Sequence, residues 1–384
     1  MNKIKLGIIG IGNMGTAHSQ SLIDGKVPGL ELAAVADRRE SRREWVKENL
    51  PESVQMFTEG TDLIDSGVCE AVLIAVPHYQ HPELAQRAFS KKMHVMCEKP
   101  AGVFTKQVRE MNEAAAKSDV TFAMMFNQRT NCVYKKMHEI VKSGELGEIM
   151  RVNWIITDWF RTQMYYDSGD WRGTWEGEGG GVLLNQCPHN LDLLQWICGL
   201  PTEIQAFCSE GKWHDIEVED DVTAYMTYPN GATGVFITST GDTPGTNRFE
   251  VSMEKGKLIC ENDKLTLYRL KGSGRDFCKT AKGGFDTPEC TIEEVETDGA
   301  NPQHIGVLNA FAENILSGAP LIAGGEEGIN GLMLSNAMHL SSWLSRPVSL
   351  PVDEDLFLEK LNERRATSVK KTGKDVTFST EGTY

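Results

Sequence analysis

Three glycines near the amino terminus are spaced to hold a dinucleotide. They lie in the run Gly10-Ile11-Gly12-Asn13-Met14-Gly15, which follows a predicted strand and opens a predicted helix. Gly10 permits a tight turn, Gly12 lets a pyrophosphate approach the backbone, and Gly15 lets the helix pack closely on the strand. Such a motif alone often occurs by chance, but its place between strand and helix makes the whole run, Asn13 and Met14 included, a candidate cofactor-binding segment.

An acidic residue stands where an adenosine ribose would need a carboxylate. Asp37 closes the second predicted strand, 22 residues after Gly15, and an acid near that distance suits the ribose hydroxyls of NAD. Its charge also repels the 2′-phosphate of NADP. Arg38 and Arg39 follow at once and could hold that phosphate if Asp37 turned away. We expect NAD as the cofactor, with NADP as the open alternative and Arg38 as a further cofactor-binding candidate.

Two later strands end in residues suited to cofactor contact and proton transfer. One ends in Val76-Pro77-His78-Tyr79-Gln80-His81 and the other in Cys97-Glu98-Lys99-Pro100. Ligands of open α/β sheets bind at the carboxyl ends of strands, where both segments fall. A lysine beside the cofactor and partly removed from water has a lowered pKa and can move a proton. Without further support, Lys99 would more simply be a solvated surface charge.

A histidine at the start of a later helix supplies that support. His189 follows Pro188, which suits a first helical position, and Leu191 and Leu194 give the helix a buried face. In the first turn the helix dipole lowers the pKa of a histidine and favours a neutral imidazole that can accept a proton. Asp192 is one turn further and is close enough to orient the ring. A lone helical histidine is more often structural, so the role of His189 stays open on this segment alone.

Aromatic and charged residues alternate just before a triple glycine at 179–181. Ring faces beside hydroxyl-binding charges make a good carbohydrate surface, although such aromatics also fill cores and interfaces, the role we expect for Trp154. The candidates for substrate binding in this stretch are Arg161, Trp171, Arg172 and Trp175. His78 and His81 have the spacing of a metal-ligand pair, but no carboxylate or cysteine at matching spacing joins them, so we expect no metal.

The elements that must position these residues differ between the two parts of the chain. Residues 1–128 alternate short apolar runs with helical patterns, which predicts a doubly wound parallel sheet that binds NAD(P). Residues 129–384 contain runs with period two and an Asn-Gly turn at Asn230-Gly231, which predict a large, mostly antiparallel open sheet flanked by helices. We expect this second domain to bind substrate and to form an oligomer, with Lys271–Thr291 as a surface loop.

Composition excludes several functional classes. The net charge of -15 over 384 residues argues against a nucleic-acid or anionic-membrane surface. No apolar run reaches the length of a membrane span, and the glycine-interrupted amino terminus does not suit a signal peptide. The nine cysteines form no C-x-x-C pair, which is typical of reduced thiols in a cytoplasmic protein.

Taken together, three motifs resemble those of the Gfo/Idh/MocA family of oxidoreductases. They are the Gly10–Gly15 run, Glu98-Lys99-Pro100, and the triple glycine followed by His189-Asn190-Leu191-Asp192-Leu193. The resemblance covers essentially the whole chain and implies a pocket between nicotinamide and a substrate ring. It implies that Lys99 binds the reacting oxygen, that His189 is the general acid/base, and that Glu98 contacts the nicotinamide-side ribose. It further implies that Pro100 follows a cis peptide and that His81, like Pro77 and His78, lies near the cofactor.

One departure from the family pattern affects the expected proton transfer. Many members carry an aspartate where this chain has Asn185, and an amide can hold a substrate hydroxyl but cannot take its proton. Asn185 is therefore a substrate-binding candidate, and we expect His189 and Lys99 to carry out the proton transfer.

The resemblance favours an NAD(P)-dependent dehydrogenase acting on a CH–OH carbon of a sugar, glycoside or cyclitol. Two alternatives stay open: a redox-neutral glycoside hydrolase or lyase with tightly bound NAD, and a non-catalytic NAD-binding sensor. The intact Lys99 and His189 speak against the sensor. By analogy, we also expect a homo-oligomer, a dimer or tetramer, joined through the open face of the second sheet.

Overall fold

The computed structural model describes residues 3–369 and 371. Its first sheet contains six parallel strands in the order β3-β2-β1-β4-β5-β6. The strands are β1 (Ile4–Ile9), β2 (Leu30–Ala36), β3 (Gln55–Phe57), β4 (Ala71–Ile74), β5 (His94–Cys97) and β6 (Phe122–Met124). The order reverses between β1 and β4, so the loops after these two strands flank the crevice in which such sheets bind ligands.

Helices cover both faces of this sheet. They are α1 (Asn13–Ile23), α2 (Glu40–Asn49), α3 (Gly60–Asp65), α4 (His81–Ser90) and α5 (Thr105–Ala116), followed by α6 (Cys132–Ser143). All four residues of β4 are buried, because a parallel strand between two helical layers has no solvated face. The predicted doubly wound parallel sheet is thereby confirmed.

The second sheet has nine strands in the order β14-β13-β12-β11-β7-β10-β9-β8-β15. They are β7 (Ile149–Ile156), β8 (Glu203–Glu210), β9 (Glu219–Thr227), β10 (Thr233–Ser239), β11 (Asn247–Met253), β12 (Gly256–Glu261), β13 (Lys264–Leu270), β14 (Cys290–Glu294) and β15 (Val348–Ser349). All neighbours pair antiparallel except β7 and β10. The sheet is therefore mostly antiparallel, as predicted, with β9 and β10 joined at the expected Asn230-Gly231 turn.

Within residues 3–369, helices pack on one face of this second sheet and leave the other open. The helices of this region are α7 (Gln163–Asp167), α8 (Pro188–Cys198), α9 (Gly274–Thr280), α10 (Gln303–Ser317), α11 (Gly328–Leu344) and α12 (Glu354–Arg365). Helix α11 packs on β8 and on α8. Side chains of β9 alternate accordingly: Val222, Ala224 and Met226 are buried, whereas Thr223 and Tyr225 are exposed.

Helix α10 packs on the first sheet, although it comes after the domain boundary expected at residue 128. Its side chains Leu308 and Phe311 are buried together with Leu6 and Ile8 of β1, so a helix from the second part of the sequence completes the core of the first sheet. No described helix is long and apolar enough to cross a membrane. The stretch Lys271–Thr291, predicted as a loop, is largely exposed but contains α9 and the first residues of β14.

Candidate active site

The glycine loop is shaped by steric demands at two of its three glycines. Gly10 has φ of +94°, and a Cβ there would lie 2.4 Å from the carbonyl oxygen of Ala75. A Cβ on Gly15 would lie 1.8 Å from the carbonyl oxygen of Gly10, so the close packing of helix on loop requires glycine. At Gly12 the nearest atom to a Cβ is the Arg39 guanidinium at 3.8 Å. The loop is therefore open at Gly12, where a pyrophosphate would approach the N-terminal amides of α1, whose first residues are Asn13 and Met14.

Asp37 is held in place at the end of β2. Its carboxylate accepts hydrogen bonds from the backbone N–H of Ile11 (2.8 Å) and from Arg39, through the backbone N–H (2.9 Å) and the guanidinium (3.1 Å). Burial raises the pKa of Asp37, but the hydrogen bonds and charge of Arg39 outweigh it and lower the pKa, which keeps the carboxylate ionised. Arg38 points elsewhere and donates to Glu59 at 2.7 Å. Arg39 is therefore the arginine beside Asp37.

Glu98 is a buried carboxylate paired with a histidine that the sequence reasoning missed. His18 of α1 donates from Nε2 to the Glu98 carboxylate at 2.7 Å, and the two side chains are 2% and 6% exposed. Burial raises the pKa of Glu98, but the hydrogen bond and charge of His18 lower it to about 2. His18 lies three residues after Gly15 on the same helix, so helical spacing directs it to the same side as the glycine contact. The Lys99–Pro100 peptide is cis, as expected.

Lys99 connects the first sheet to the segment that leads into α8. Its Nζ donates to the backbone carbonyl of Asn185 at 3.0 Å, which brings together two residues 86 positions apart in the chain. Desolvation lowers the pKa of Lys99, and the charges of Arg172 and Arg161 lower it further, while Glu98 raises it. The ammonium group therefore releases its proton more readily than a solvated lysine does.

His189 lies in the first turn of α8 and is 3% exposed. Burial holds its pKa well below the usual range, and the charge of Lys99 lowers it further. The imidazole is therefore neutral and can accept a proton. Asp192, which the sequence suggested as its orienting group, forms a buried ion pair with Arg129 at 2.7 Å instead. The ring of Phe126 lies edge-on to His189, with 6.5 Å between centroids.

The loop after β4 is fixed by backbone contacts of its two histidines, next to Pro77. The ring nitrogens of His81 lie 2.7 Å from the carbonyl oxygens of Val76 and Pro100, so His81 ties the two strand ends together. His78 Nδ1 donates to the carbonyl of Glu178 at 3.2 Å, and burial holds the pKa of His78 well below its usual range. No group of three His, Cys, Asp or Glu side chains among residues 3–369 and 371 is arranged to hold a metal.

Two of the four predicted carbohydrate contacts, Arg161 and Arg172, lie against one tyrosine, and a third, Trp171, lies against Arg172. The guanidinium of Arg172 lies 4.4 Å from the ring centroids of Tyr165 and Trp171 and donates to the Tyr165 hydroxyl at 2.7 Å. The guanidinium of Arg161 lies 5.3 Å from the Tyr165 ring. Tyr165 itself was not among the predicted site residues, although it lies within the aromatic stretch before the triple glycine.

Trp175 and Glu178, which flank the loop before the triple glycine, are both buried. The Trp175 ring is 4% exposed and packs against His339 and Trp343 of α11, which places it in the core rather than on an open carbohydrate surface. Glu178, immediately before the triple glycine, is 1% exposed. Burial raises its pKa to about 7, and its carboxylate accepts a hydrogen bond from Asn185 Nδ2. An acid beside a glycine run was the only sequence signal for it.

A glycine loop with Asp37 beside it, a lysine after β5 and a histidine in the first turn of α8 are together typical of an oxidoreductase of the dinucleotide-binding class. Residues 4–126 match the model described as Oxidoreductase family, NAD-binding Rossmann fold, and residues 134–259 match the GFO/IDH/MocA C-terminal domain. The chain therefore belongs to the Gfo/Idh/MocA family, and its first sheet forms an NAD-binding Rossmann domain.

Relatives of known name extend over nearly the whole chain. It is 27% identical to myo-inositol 2-dehydrogenase of Thermotoga maritima over 355 residues, which cover 90% of this chain and 98% of the relative. It is 24% identical to the rhizopine catabolism protein MocA of Rhizobium meliloti, covering 74% of this chain and 88% of that protein.

Two solved structures share the fold. The WlbA dehydrogenase of Bordetella pertussis, in complex with NADH and UDP-GlcNAcA, superposes with a TM-score of 0.77 at 22% identity, over 92% of this chain and 100% of that one. A levoglucosan dehydrogenase in complex with NADH and L-sorbose gives 0.75 at 19% identity, over 92% and 100%. At these identities the likeness establishes the shared architecture, and the NADH in both structures agrees with the NAD-binding domain.

Proposed function

We propose that the protein is an NAD-dependent dehydrogenase that transfers a hydride between nicotinamide and a CH–OH carbon of a sugar, glycoside or cyclitol. The observation that carries the proposal is the contact of Lys99 Nζ with the backbone of Asn185, four residues before His189. It brings a proton-donating ammonium from the end of β5 to the entrance of α8. The names of the relatives, among them an inositol dehydrogenase and a levoglucosan dehydrogenase, support the substrate class.

Different residues bind the cofactor and the substrate. The open backbone at Gly12 and the carboxylate of Asp37 hold the pyrophosphate and the adenosine ribose. To Glu98, kept ionised by His18, we assign the second ribose. When bound, NAD supplies the hydride acceptor. We assign cofactor binding to residues 1–128 and substrate binding to residues 129–384, with the exception that α10 supports the first sheet.

The proton of the substrate alcohol passes to His189 in the oxidation direction. Lys99 donates a hydrogen bond to the reacting oxygen and fixes its position, and Asn185 holds a neighbouring hydroxyl. His189, whose burial keeps it neutral, accepts the hydroxyl proton as the hydride leaves the same carbon. In the reduction direction the imidazolium returns that proton to the carbonyl oxygen. General acid–base catalysis of this kind is worth about 10²–10⁴-fold in rate.

The experiment that tests the proposal is reduced-nicotinamide absorbance with NAD and NADP over myo-inositol, D-glucose, methyl α-glucoside and UDP-N-acetylglucosaminuronic acid. We expect turnover with NAD and at least one of these compounds. Lys99→Ala and His189→Ala should each reduce turnover by about 10²–10⁴-fold while NAD still quenches tryptophan fluorescence. Lys106→Ala is the matched control and should keep full activity, because Lys106 is a partly exposed lysine of α5 that pairs with Asp355.

Full activity in Lys99→Ala or His189→Ala would refute the role given to that residue. Absence of turnover across the panel, with NAD nevertheless released on denaturation, would refute the dehydrogenase proposal. It would favour the redox-neutral chemistry, which glycoside-cleavage assays then test.

We further propose that the open face of the second sheet joins two subunits. Phe207 of β8 is 68% exposed, Tyr225 of β9 is 50% exposed, and Ile155 of β7 is 37% exposed. All three point away from the helices that cover the other face, since the residues on either side of each are buried or, at Cys208, partly buried. Contiguous apolar side chains on one sheet face are typical of a protein–protein contact.

A further inference from the structure

Glu178 connects three separate parts of the candidate site while lying out of solvent. One carboxylate oxygen accepts from the backbone N–H of Gly173 at 2.6 Å, and the other accepts from the side-chain amide of Asn185. Its backbone carbonyl accepts from His78 Nδ1 at 3.2 Å. The acid therefore touches the loop that carries Arg172, the turn before α8 and the loop after β4.

A carboxylate fixes the direction of the amide it holds. An ionised carboxylate can only accept hydrogen bonds, so Asn185 must turn its NH₂ group toward Glu178. The remaining polar atom of that amide, Oδ1, can only accept. The Asn185 side chain is partly exposed, and its backbone oxygen receives the Lys99 ammonium. One residue thus brings a fixed acceptor beside the lysine that is proposed to hold the reacting oxygen.

We propose that Glu178 is a positioning residue of the substrate pocket, which holds the Asn185 amide so that Oδ1 accepts a hydrogen from a substrate hydroxyl. The inference rests on the proposed dehydrogenase function, and it names the kind of group that the pocket selects next to the reacting carbon. A hydroxyl donates to Oδ1, whereas an ether oxygen or a carbonyl at the same place cannot.

Protonation of Glu178 would reverse this arrangement. A protonated carboxyl can donate to Oδ1, and Nδ2 would then face the substrate instead. Burial raises the pKa of Glu178 to about 7, so the reversal falls within an accessible range of pH. The charged and titratable groups that face Glu178 are Arg172 of the same loop, Tyr166 of α7, Glu219 of β9 and His78 of the loop after β4. Of these, Arg172 favours the ionised form and Glu219 opposes it.

The test follows the Asn185 side chain directly and needs no substrate. In ¹⁵N-labelled protein the side-chain NH₂ signals of Asn185 are identified by their loss in Asn185→Ala. We expect them to shift with pH, with a midpoint near the pKa of Glu178, and to stop shifting in Glu178→Gln. Glu176→Gln is the matched control, because Glu176 lies on the same loop but is exposed and pairs with Arg365. In Glu176→Gln the side-chain signals of Asn185 should shift with pH as they do in the wild type.

Steady-state kinetics then test whether the amide acts on substrate. With whichever of the four panel compounds is turned over, Glu178→Gln should raise KM about three- to tenfold, the value of one neutral hydrogen bond, and flatten the pH dependence of KM, with kcat changing less. In a double-mutant cycle the same substitution should have no further effect once Asn185 is alanine, since Glu178 acts through it.

Asn185 signals that do not move with pH, or that move equally in Glu178→Gln, would overturn the proposal, as would additive effects in the cycle. If Glu178→Gln folds poorly, Asn185→Ala alone tests the proposal. A pH dependence of KM that persists in Asn185→Ala would overturn the proposal, and a flattened pH dependence would support it. If none of the four compounds is turned over, the dehydrogenase proposal fails, while the amide titration still decides whether Glu178 orients Asn185.

Discussion

Replacing Glu178 by glutamine should make the stability of the fold less sensitive to a rise in pH. Glu178 is 1% exposed, and burial raises its pKa from 4.5 to about 7. A carboxyl whose pKa is higher in the folded chain keeps its proton while the unfolded chain releases it. Stability is therefore lost as the pH rises from the unfolded to the folded pKa. Glutamine has the same shape without this ionisation, so the variant escapes the loss.

The magnitude follows from the two pKa values. At about 1.4 kcal/mol per pKa unit, the rise from 4.5 to about 7 corresponds to about 3 kcal/mol. The free energy of unfolding of Glu178→Gln relative to wild type should therefore increase by about 3 kcal/mol between about pH 4.5 and about pH 8. Any constant effect of the substitution on the Gly173 and Asn185 hydrogen bonds cancels in this comparison.

Urea denaturation at several pH values, followed by tryptophan fluorescence, measures this difference, because most of the eight tryptophans lie after residue 128. Glu176→Gln controls for loss of a negative charge on the same loop; its exposed ion pair with Arg365 is worth about 0–1 kcal/mol. A stability difference for Glu178→Gln that stays constant with pH would refute the reasoning, because it would mean that Glu178 ionises alike in the folded and unfolded chains.

Two further predictions concern the cofactor and the sheet face. Asp37→Ala should lower the preference for NAD over NADP in kcat/KM by about ten- to a hundredfold, the value of a lost charged hydrogen bond. The substitution removes the repulsion of the 2′-phosphate and frees Arg39. An unchanged preference would mean that the ribose contact is misplaced. Phe207→Asp should reduce the assembled mass measured by light scattering, since it buries a charge in the proposed contact. Thr202→Asp, at an exposed position before β8, should leave the mass unchanged. Equal masses for the wild type and both variants would place the contact elsewhere.

Strands covered on both faces are easier to predict from the sequence than short elements near the sheet edge. Strands β1, β2 and β5 are mostly apolar runs, because a strand covered on both faces leaves a nearly continuous apolar signal. Strand β3 and helix α3 give no such signal. A three-residue strand at the edge of the sheet and a helix of six residues are too short for their periodicity to be seen.

The candidate site could be predicted in its residue types but not in its contacts. Motif spacing located Lys99 and His189, yet no local pattern could pair Asp192 with Arg129, 63 residues away, because tertiary packing alone decides that partner. The same holds for Arg38 and Arg39, whose order along the chain does not tell which one turns back onto Asp37. Glu178 was missed because its place beside the triple glycine does not by itself distinguish a buried acid from the exposed Glu176 two positions earlier.

The site gives different protonation states to groups that are all buried, and the partner of each group decides the outcome. Desolvation opposes charge on Glu98, Lys99 and His189 alike. Glu98 stays ionised because His18 donates to it, whereas the positive charge of Lys99 adds to burial at His189 and keeps that ring neutral. His189 is thus neutral near the charge of Lys99, which is the arrangement that the proposed oxidation of an alcohol requires. Replacing His18 would remove the hydrogen bond that keeps Glu98 ionised without replacing either proton-transfer residue.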